Sequence, residues 1–261
     1  MPAKPSDRAR CLLAFDTAGT ACSAAIWRDG AVRARRFEAM SRGQSERLVP
    51  MIQAVMAEAG IAYPALDAIA VTRGPGGFTG VRIGLATARA LALACARPVI
   101  GVSNFEAVAA AVPEDARTGR SLVVVIDAKR SDLYVQAFGA VPGAAPGAAP
   151  AADSAPVTPA RAIAPADLSA FLPPGPLLLA GDAVEVALAA LEAAGREVVA
   201  TAALGQADAG RVAALAAARP LPEAGAPPPG PIYLRGPDVT LAPPPRAEPV
   251  AEPGAEPGAG P

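Results

Sequence analysis

Two segments of this chain repeat one pattern, in which an apolar strand-like run ends in an aspartate and turns directly into a second strand. The first copy is residues 12–15 with Asp16 and residues 21–27, and the second is residues 122–126 with Asp127 and residues 133–138. Apolar periodicity over residues 11–115 predicts the order β-β-β-α-β-α-β-α, which is typical of a mixed sheet covered by helices. The recurrence predicts a duplicated α/β fold with two such domains, and chance similarity of two short hairpins is the alternative.

Proline divides the chain into ordinary and low-complexity segments. Of the 30 prolines, nine lie in residues 139–176 and 14 in residues 220–261. Segments rich in Ala, Pro and Gly bury too little apolar surface to fold by themselves. The division predicted from this pattern is a flexible N-terminus (1–10), a first domain (11–118), a second domain (119–236) with an Ala/Pro/Gly-rich insert (139–176), and a disordered tail (237–261).

The chain contains no histidine. Ser-His-Asp and Cys-His nucleophile activation, imidazole general-base catalysis and His-ligated metal sites all need that side chain. The three cysteines, Cys11, Cys22 and Cys95, are too widely spaced for a thiolate metal site and are odd in number for disulfides. Most hydrolases and zinc enzymes are therefore excluded, and we expect no metal and no cofactor.

The charge is close to balanced, with 23 basic and 24 acidic residues and a formal net charge of −1. An autonomous nucleic-acid-binding protein usually shows a basic face, and no dense Lys/Arg block occurs here. No uninterrupted apolar stretch of about 18 residues and no signal-peptide core is visible. We therefore expect a soluble cytoplasmic protein with no membrane association.

A glycine-rich run at residues 74–80 (GPGGFTG) lies between a predicted strand and a predicted helix. Glycines in such a place let backbone donors approach an anion. The run lacks the Lys-Ser/Thr pair of a P-loop, and its glycine spacing is one residue too long for the dinucleotide fingerprint. Tight turning and close packing are the favoured interpretation.

The two strand-ending aspartates are candidates for a phosphate site. A two-domain nucleotide-binding cleft would use such residues to hold metal-bound phosphate from both sides. The turn that begins at Thr17 is small, whereas the turn after Asp127 has no glycine and carries Lys129 and Arg130. Asp16, Thr17 and Asp127 therefore form a degenerate phosphate-site prediction.

Two predicted helices in the first domain carry apolar stripes. One begins near residues 41–45 and ends at Gly60, and the other covers about residues 79–96 with small residues at every fourth position. Packing on the sheet is the simpler interpretation. Because the second helix is apolar on much of its circumference, one face could meet the sheet and another face a partner protein.

Several motifs spread in order over residues 11–235 resemble the TsaB family, formerly called YeaZ. They are residues 13–17 (LAFDT), 22–27 (CSAAIW), 44–52 (QSERLVPMI), 73–84 (RGPGGFTGVRIG), 100–103 (IGVS) and 232–235 (IYLR). The run at 73–84 is highly specific. The predicted insert and tail lie outside the match.

The resemblance implies an actin-like ATPase (ASKHA) fold of two domains. It also implies a non-catalytic subunit of the complex that makes threonylcarbamoyladenosine in tRNA beside the anticodon, with TsaD as the direct partner and TsaE in the same assembly. A homodimer is a further expectation, and tRNA would be contacted only through the complex. The implied partner surface maps onto Leu48, Ile52, Val55 and Met56 of the first helix and Gly80, Ile83, Gly84, Thr87, Ala88 and Leu91 of the second.

Two other functions stay open from the sequence. An ATP-dependent small-molecule kinase of the same fold class is suggested by Asp16, its small turn and the glycine-rich run. A peptidase would need an unusual Ser-Lys or carboxylate site in a chain without histidine, and no convincing pair is visible.

Overall fold

The structure is a computed structural model that describes residues 10–141, 155–203, 205–223 and 225–235. The predicted flexible N-terminus, apart from its last residue, and the predicted tail lie outside the described residues, as does part of the predicted insert. The first half of the described chain follows the predicted order β-β-β-α-β-α-β-α.

The first half contributes β1 (Cys11–Asp16), β2 (Ala21–Arg28), β3 (Ala31–Ala39), α1 (Gln44–Ala59), β4 (Ala68–Thr72), α2 (Phe78–Cys95), β5 (Val99–Val102) and α3 (Asn104–Ala109). The second half contributes β6 (Ser121–Asp127), β7 (Leu133–Phe138), β8 (Arg161–Ile163), α4 (Leu168–Phe171), β9 (Leu177–Ala180), α5 (Val184–Ala193), β10 (Val198–Ala200) and α6 (Ala209–Ala217).

The two sheets have the same topology. The strand order is β3-β2-β1-β4-β5 in the first and β8-β7-β6-β9-β10 in the second. In each sheet the first three strands pair antiparallel, and the strands that follow helices pair parallel. Each strand of one half therefore has a counterpart in the other, which confirms the predicted duplicated α/β fold.

A glycine with positive φ lies at each end of the first helix. Gly43, with φ of 91°, precedes it and no side chain caps its N-terminus. The Gln44 amide instead donates to the carbonyl of Met40 at 3.2 Å. The predicted stop at Gly60 is confirmed, because this residue ends the helix with φ of 64°.

Helices cover both faces of the first sheet. Leu13 and Phe15 of β1 contact the core formed with α1 and α2, whereas Leu12 and Ala14 contact a core that includes Val212 of α6. Successive residues of a strand point to opposite faces. All six residues of β1 are therefore buried, including its terminal aspartate.

The last helix of each half packs on the other half. α6 contacts every strand of the first sheet, and α3 packs on β6 of the second sheet through Phe105 and Val108. The sequence assigns residues 119–236 to the second domain, but α6 buries its apolar face, including Val212 and Ala216, against the first sheet. Each domain is consequently completed by a helix from the other half of the chain.

The described part of the predicted insert 139–176 contains regular secondary structure that belongs to the second domain. β8 pairs with β7 through Arg161–Val135 and Ala162–Tyr134, and α4 places Leu168 in the core of the second domain. β8 has only three residues and lies between Pro159 and Pro165. It is the third strand of the second sheet, which the sequence pattern does not reveal.

Candidate functional site

A cleft of about 250 Å³ lies between the two domains. It is lined by the turn after β1, by the turn after β6, by residues 75–80 and by residues 205–207. These segments meet because β1 and β6 are equivalent strands and end towards each other. This is the place where the sequence predicts a degenerate phosphate site.

The carboxyl group of Asp16 does not open into this cleft. Its side chain has no solvent exposure, and its Oδ1 accepts hydrogen bonds from the Thr72 hydroxyl and, at 3.2 Å, from the backbone N–H of Ala18. Its Oδ2 is buried without a hydrogen-bond partner among the described residues. Burial raises the pKa of Asp16 to about 6, although the hydrogen bonds from Thr72 and Ala18 act to lower it. Such a group is poorly placed to bind metal-bound phosphate.

The turn after Asp16 is covered by the glycine-rich run. The hydroxyl of Thr17 donates to the carbonyl of Gly80 at 2.7 Å, and the N–H of Gly77 donates to the carbonyl of Ala18 at 2.8 Å. A Cβ atom at Gly76 would lie 2.4 Å from the Ala18 carbonyl oxygen, and one at Gly80 would lie 2.1 Å from that of Thr17. These glycines therefore permit close packing of two backbone segments, which supports the favoured interpretation of the run.

Asp127 lies at the cleft but is paired within its own turn. The Lys129 ammonium donates to its Oδ2 at 2.8 Å, and the Lys129 backbone N–H donates to its Oδ1 at 2.6 Å. Partial burial acts to raise the pKa of Asp127, but the hydrogen bonds and the charge of Lys129 together lower it below its ordinary value. The carboxylate is thus ionised and already neutralised by its neighbour.

The size and chemistry of the cleft limit what it can hold. Pockets that enclose small-molecule ligands typically measure about 300–1,000 Å³, and this cleft is smaller. Within the part of the chain that the structure describes, no three His, Cys, Asp or Glu side chains are close enough together to hold a metal ion. Asp16, Thr17 and Asp127 therefore lie near one another without forming a built phosphate or metal site.

Six of the ten residues predicted to contact a partner are buried in the chain's own core. Those six are Leu48, Ile52, Val55, Met56, Gly84 and Ala88. The other four, Gly80, Ile83, Thr87 and Leu91, are partly buried. The six are buried because the most apolar stripe of a helix that lies on a sheet is the stripe that faces the sheet. A partner cannot reach the six core residues in the folded protein.

A different set of apolar residues on the same two helices faces solvent. Side chains three and four positions apart share one face of a helix. In α2 the core face carries Val81 and Leu85, and the opposite face is directed outward. We call this set the outer surface, and its members are Val49, Ala86, Ala90, Leu93 and Ala94. Val49 is 49% exposed and Leu93 is 86% exposed.

The apolar character of α2 exceeds what its packing requires. The 18 residues Phe78–Cys95 have a mean hydropathy of 1.3, and only 22% of them are buried. By length and composition this helix could cross a membrane, but it connects β4 to β5 and packs on the sheet through Val81, Leu85 and Ala88. Contiguous exposed apolar surface of this kind marks interaction sites. The sequence signal for this exposed face is the wide apolar circumference of α2, whereas six of the residues predicted to contact a partner lie in the core.

Comparison with known proteins identifies one family. A family model described as "TsaD: tRNA N6-adenosine threonylcarbamoyltransferase" matches residues 38–172. The chain is 42% identical over 123 residues to the "tRNA threonylcarbamoyladenosine biosynthesis protein TsaB" of Escherichia coli (strain K12), which covers 47% of this chain and 52% of that protein. The chain thus spans about half the length of this curated relative.

Two further matches agree with this result. Over 69 residues the chain is 51% identical to a "tRNA N6-adenosine threonylcarbamoyltransferase" of Erythrobacter litoralis, covering 26% of this chain and 20% of that protein. A solved structure of a Pseudomonas aeruginosa protein, described as similar to the peptidase YeaZ, superposes with a TM-score of 0.68 at 28% identity, over 87% of this chain and 100% of that one. The chain therefore belongs to the TsaD family that the model describes, and it is similar to the TsaB (YeaZ) proteins.

Proposed function

We propose that this chain is a non-catalytic subunit of the complex that adds threonylcarbamoyl to adenosine in tRNA, and that it docks the threonylcarbamoyltransferase TsaD. The observation that carries the proposal is the exposed apolar outer surface on α1 and α2, in a chain that is similar to TsaB. The assembly would operate in the cytoplasm, with TsaE as a third member and tRNA as its substrate.

The outer surface is suited to helix–helix packing. Ala86, Ala90 and Ala94 are small, so the axis of a partner helix can approach closely. Val49 of α1 and Leu93 of α2 add larger apolar side chains that are exposed. In the absence of the partner, the same surface would pair two copies of this chain, because it is equally apolar in each copy.

A catalytic role finds little support in the cleft. A kinase of this fold class needs acidic groups that hold metal-bound phosphate, and here the Asp16 carboxyl is buried while Asp127 is paired with Lys129. The glycine-rich run packs on the turn that would otherwise receive phosphate. The same absence of histidine counts against hydrolase chemistry.

The proposal is tested by reconstituting tRNA modification with TsaD and the remaining components from the same organism. Omitting this chain should abolish formation of threonylcarbamoyladenosine, and Val49→Glu should reduce it strongly because a charge is placed in the apolar contact. Val186→Glu is the matched control, since Val186 is also a valine on a helix and is 51% exposed.

Asp16→Asn separates the two functions. A docking subunit with this substitution should support modification as the wild type does. Saturable binding of ATP with magnesium by the wild-type chain, lost in Asp16→Asn, would instead favour the kinase.

A further inference from the structure

A second and larger groove, of about 660 Å³, lies between the N-terminus of α2, the turn after β6 and the segment 232–235. We propose that this groove binds a single-stranded segment of RNA. The inference goes beyond docking to TsaD and depends on the proposed function only in choosing RNA over DNA.

Two aromatic rings form a platform in the groove. Phe78 and Tyr233 are stacked, with ring centroids 5.9 Å apart and an angle of 26° between their planes. Both rings are large and apolar, yet 60% of Phe78 and 48% of Tyr233 is exposed. Exposed stacked rings of this kind are the usual platforms for unpaired bases, because every base has a π-face that can stack.

Four cationic side chains surround the platform. The Arg82 guanidinium lies 3.2 Å from the ring centroid of Phe78 and 5.5 Å from that of Tyr233. Lys129, Arg130 and Arg235 line the same groove. Among the described residues, no aspartate or glutamate is part of the lining. A chain with a net charge of −1 thus concentrates positive charge beside its exposed rings.

Two of these cations form ion pairs with carboxylates. Asp127 contacts Lys129 at 2.8 Å, and Asp132 contacts Arg235 at 3.2 Å. The side chains of both cations remain partly exposed, and ion pairs at the surface are weak, so a phosphate can compete for them. The positive end of the α2 dipole adds to the attraction, because the first turn of α2 contains no acidic residue.

Hydrogen bonds to backbone carbonyls fix the platform in position. The N–H of Ile232 donates to the carbonyl of Arg73 at 2.7 Å, and Arg89 donates to the carbonyl of Pro229 at 3.1 Å. These bonds hold the segment that carries Tyr233 against α2. Ordering of the groove therefore costs little when a ligand binds.

The combination of rings and cations selects the type of ligand. A basic groove that follows a backbone, with aromatic rings for successive bases, is how proteins bind single strands without reading their sequence. A duplex would offer phosphates but no free base faces. The groove also lies on the flank of α2 beside the outer surface, so a docked partner and a bound strand can be neighbours.

The test is fluorescence anisotropy with the full chain and a labelled, short, unstructured oligoadenylate. Saturable binding that weakens with salt is expected. Tyr233→Leu should weaken binding at least about fivefold because it removes stacking but keeps an apolar side chain, whereas Tyr233→Phe should bind as the wild type does. Arg82→Gln should lower the slope of log Kd against log salt by about 0.7.

Arg33→Gln is the control for charge, because Arg33 is an exposed arginine on the far edge strand β3. It should leave the affinity and the slope unchanged. Absence of saturable binding, or equal binding by wild type, Tyr233→Leu and Arg82→Gln, would overturn the inference. Displacement of the oligonucleotide by AMP at equal nucleotide concentration would also overturn it, because the groove would then hold a mononucleotide. If the chain docks TsaD but fails this test, only the inference of an RNA-binding groove is refuted and the proposed function stands.

Discussion

Asp16 is a carboxylate without solvent exposure, and its two oxygens have unequal environments. Oδ1 accepts hydrogen bonds from Thr72 and Ala18, whereas Oδ2 has no hydrogen-bond partner among the described residues. The charged form is therefore poorly stabilised in the folded protein. The sequence pattern placed this aspartate correctly at the end of β1, but a strand pattern cannot indicate whether a terminal carboxyl turns to a cleft or to the core.

The first prediction concerns the pH dependence of stability. Burial raises the pKa of Asp16 to about 6, so the folded state binds the proton more tightly than the unfolded state. The contribution of this group to the free energy of unfolding is complete below about pH 4 and is lost as the pH rises to about 6. Asp16→Asn should remove this loss and raise the free energy of unfolding at neutral pH by about 1–3 kcal/mol.

Urea denaturation at several pH values checks this prediction. The variant keeps an acceptor for Thr72 and Ala18, so its free energy of unfolding below about pH 4 should resemble that of the wild type. If the free energy of unfolding declines equally in wild type and variant between about pH 4 and pH 6, another group is responsible for the pH dependence.

The second prediction concerns the glycine-rich run. Gly80→Ala improves intrinsic helix propensity, but its Cβ would lie 2.1 Å from the carbonyl oxygen of Thr17. The backbone must shift, so the free energy of unfolding should fall by about 1–3 kcal/mol. In Gly230→Ala the new Cβ meets nothing within 4 Å, and that control should stay within about 0.5 kcal/mol of the wild type. Equal stability of the two variants would contradict the packing role.

At the scale of elements, sequence periodicity predicted most strands and helices well. Alternation and tight turns located β1, β2, β6 and β7, because each has several apolar residues bounded by turn residues. β8 was missed because three residues between prolines carry no period. Six of the residues predicted to contact a partner lie in the core, because periodicity reports which face of a helix is most apolar, and in α1 that face covers the sheet.

The third prediction concerns self-association through α2. Leu93→Lys should weaken the proposed homodimer at least about tenfold, because Leu93 is 86% exposed on the outer surface. Its free energy of unfolding should change by no more than about 0.5 kcal/mol. Sedimentation velocity across a concentration series measures the first quantity. A monomeric wild type, or a variant that dimerises equally well, would contradict the proposed pairing.

At the scale of the whole molecule, the duplicated halves are tied together by their last helices. α6 covers the first sheet and α3 contacts the second sheet. The amphipathic pattern of residues 209–217 predicts a helix with one buried face, but it cannot specify which of two similar sheets that face will cover. Chain order therefore places α6 in the second domain, whereas its buried face packs on the sheet of the first domain.

The fourth prediction follows from this exchange. Val212 of α6 has no solvent exposure and lies in the core of the first sheet. Val212→Ala should lower the free energy of unfolding by about 1–3 kcal/mol and should shift one cooperative transition that includes both domains. Differential scanning calorimetry distinguishes the outcomes. Two separate transitions, with only that of the second domain shifted in the variant, would contradict the exchanged packing.

The proposed function depends on docking of TsaD by the outer surface of α1 and α2. Isothermal titration calorimetry with TsaD from the same organism tests it most directly, using two variants that each introduce an arginine at an exposed alanine. Ala90 lies on the outer surface, and Ala189 lies on α5 of the second domain. Ala90→Arg should raise Kd at least about tenfold, while Ala189→Arg should leave it unchanged. Tight binding of TsaD by Ala90→Arg would rule out docking through the outer surface.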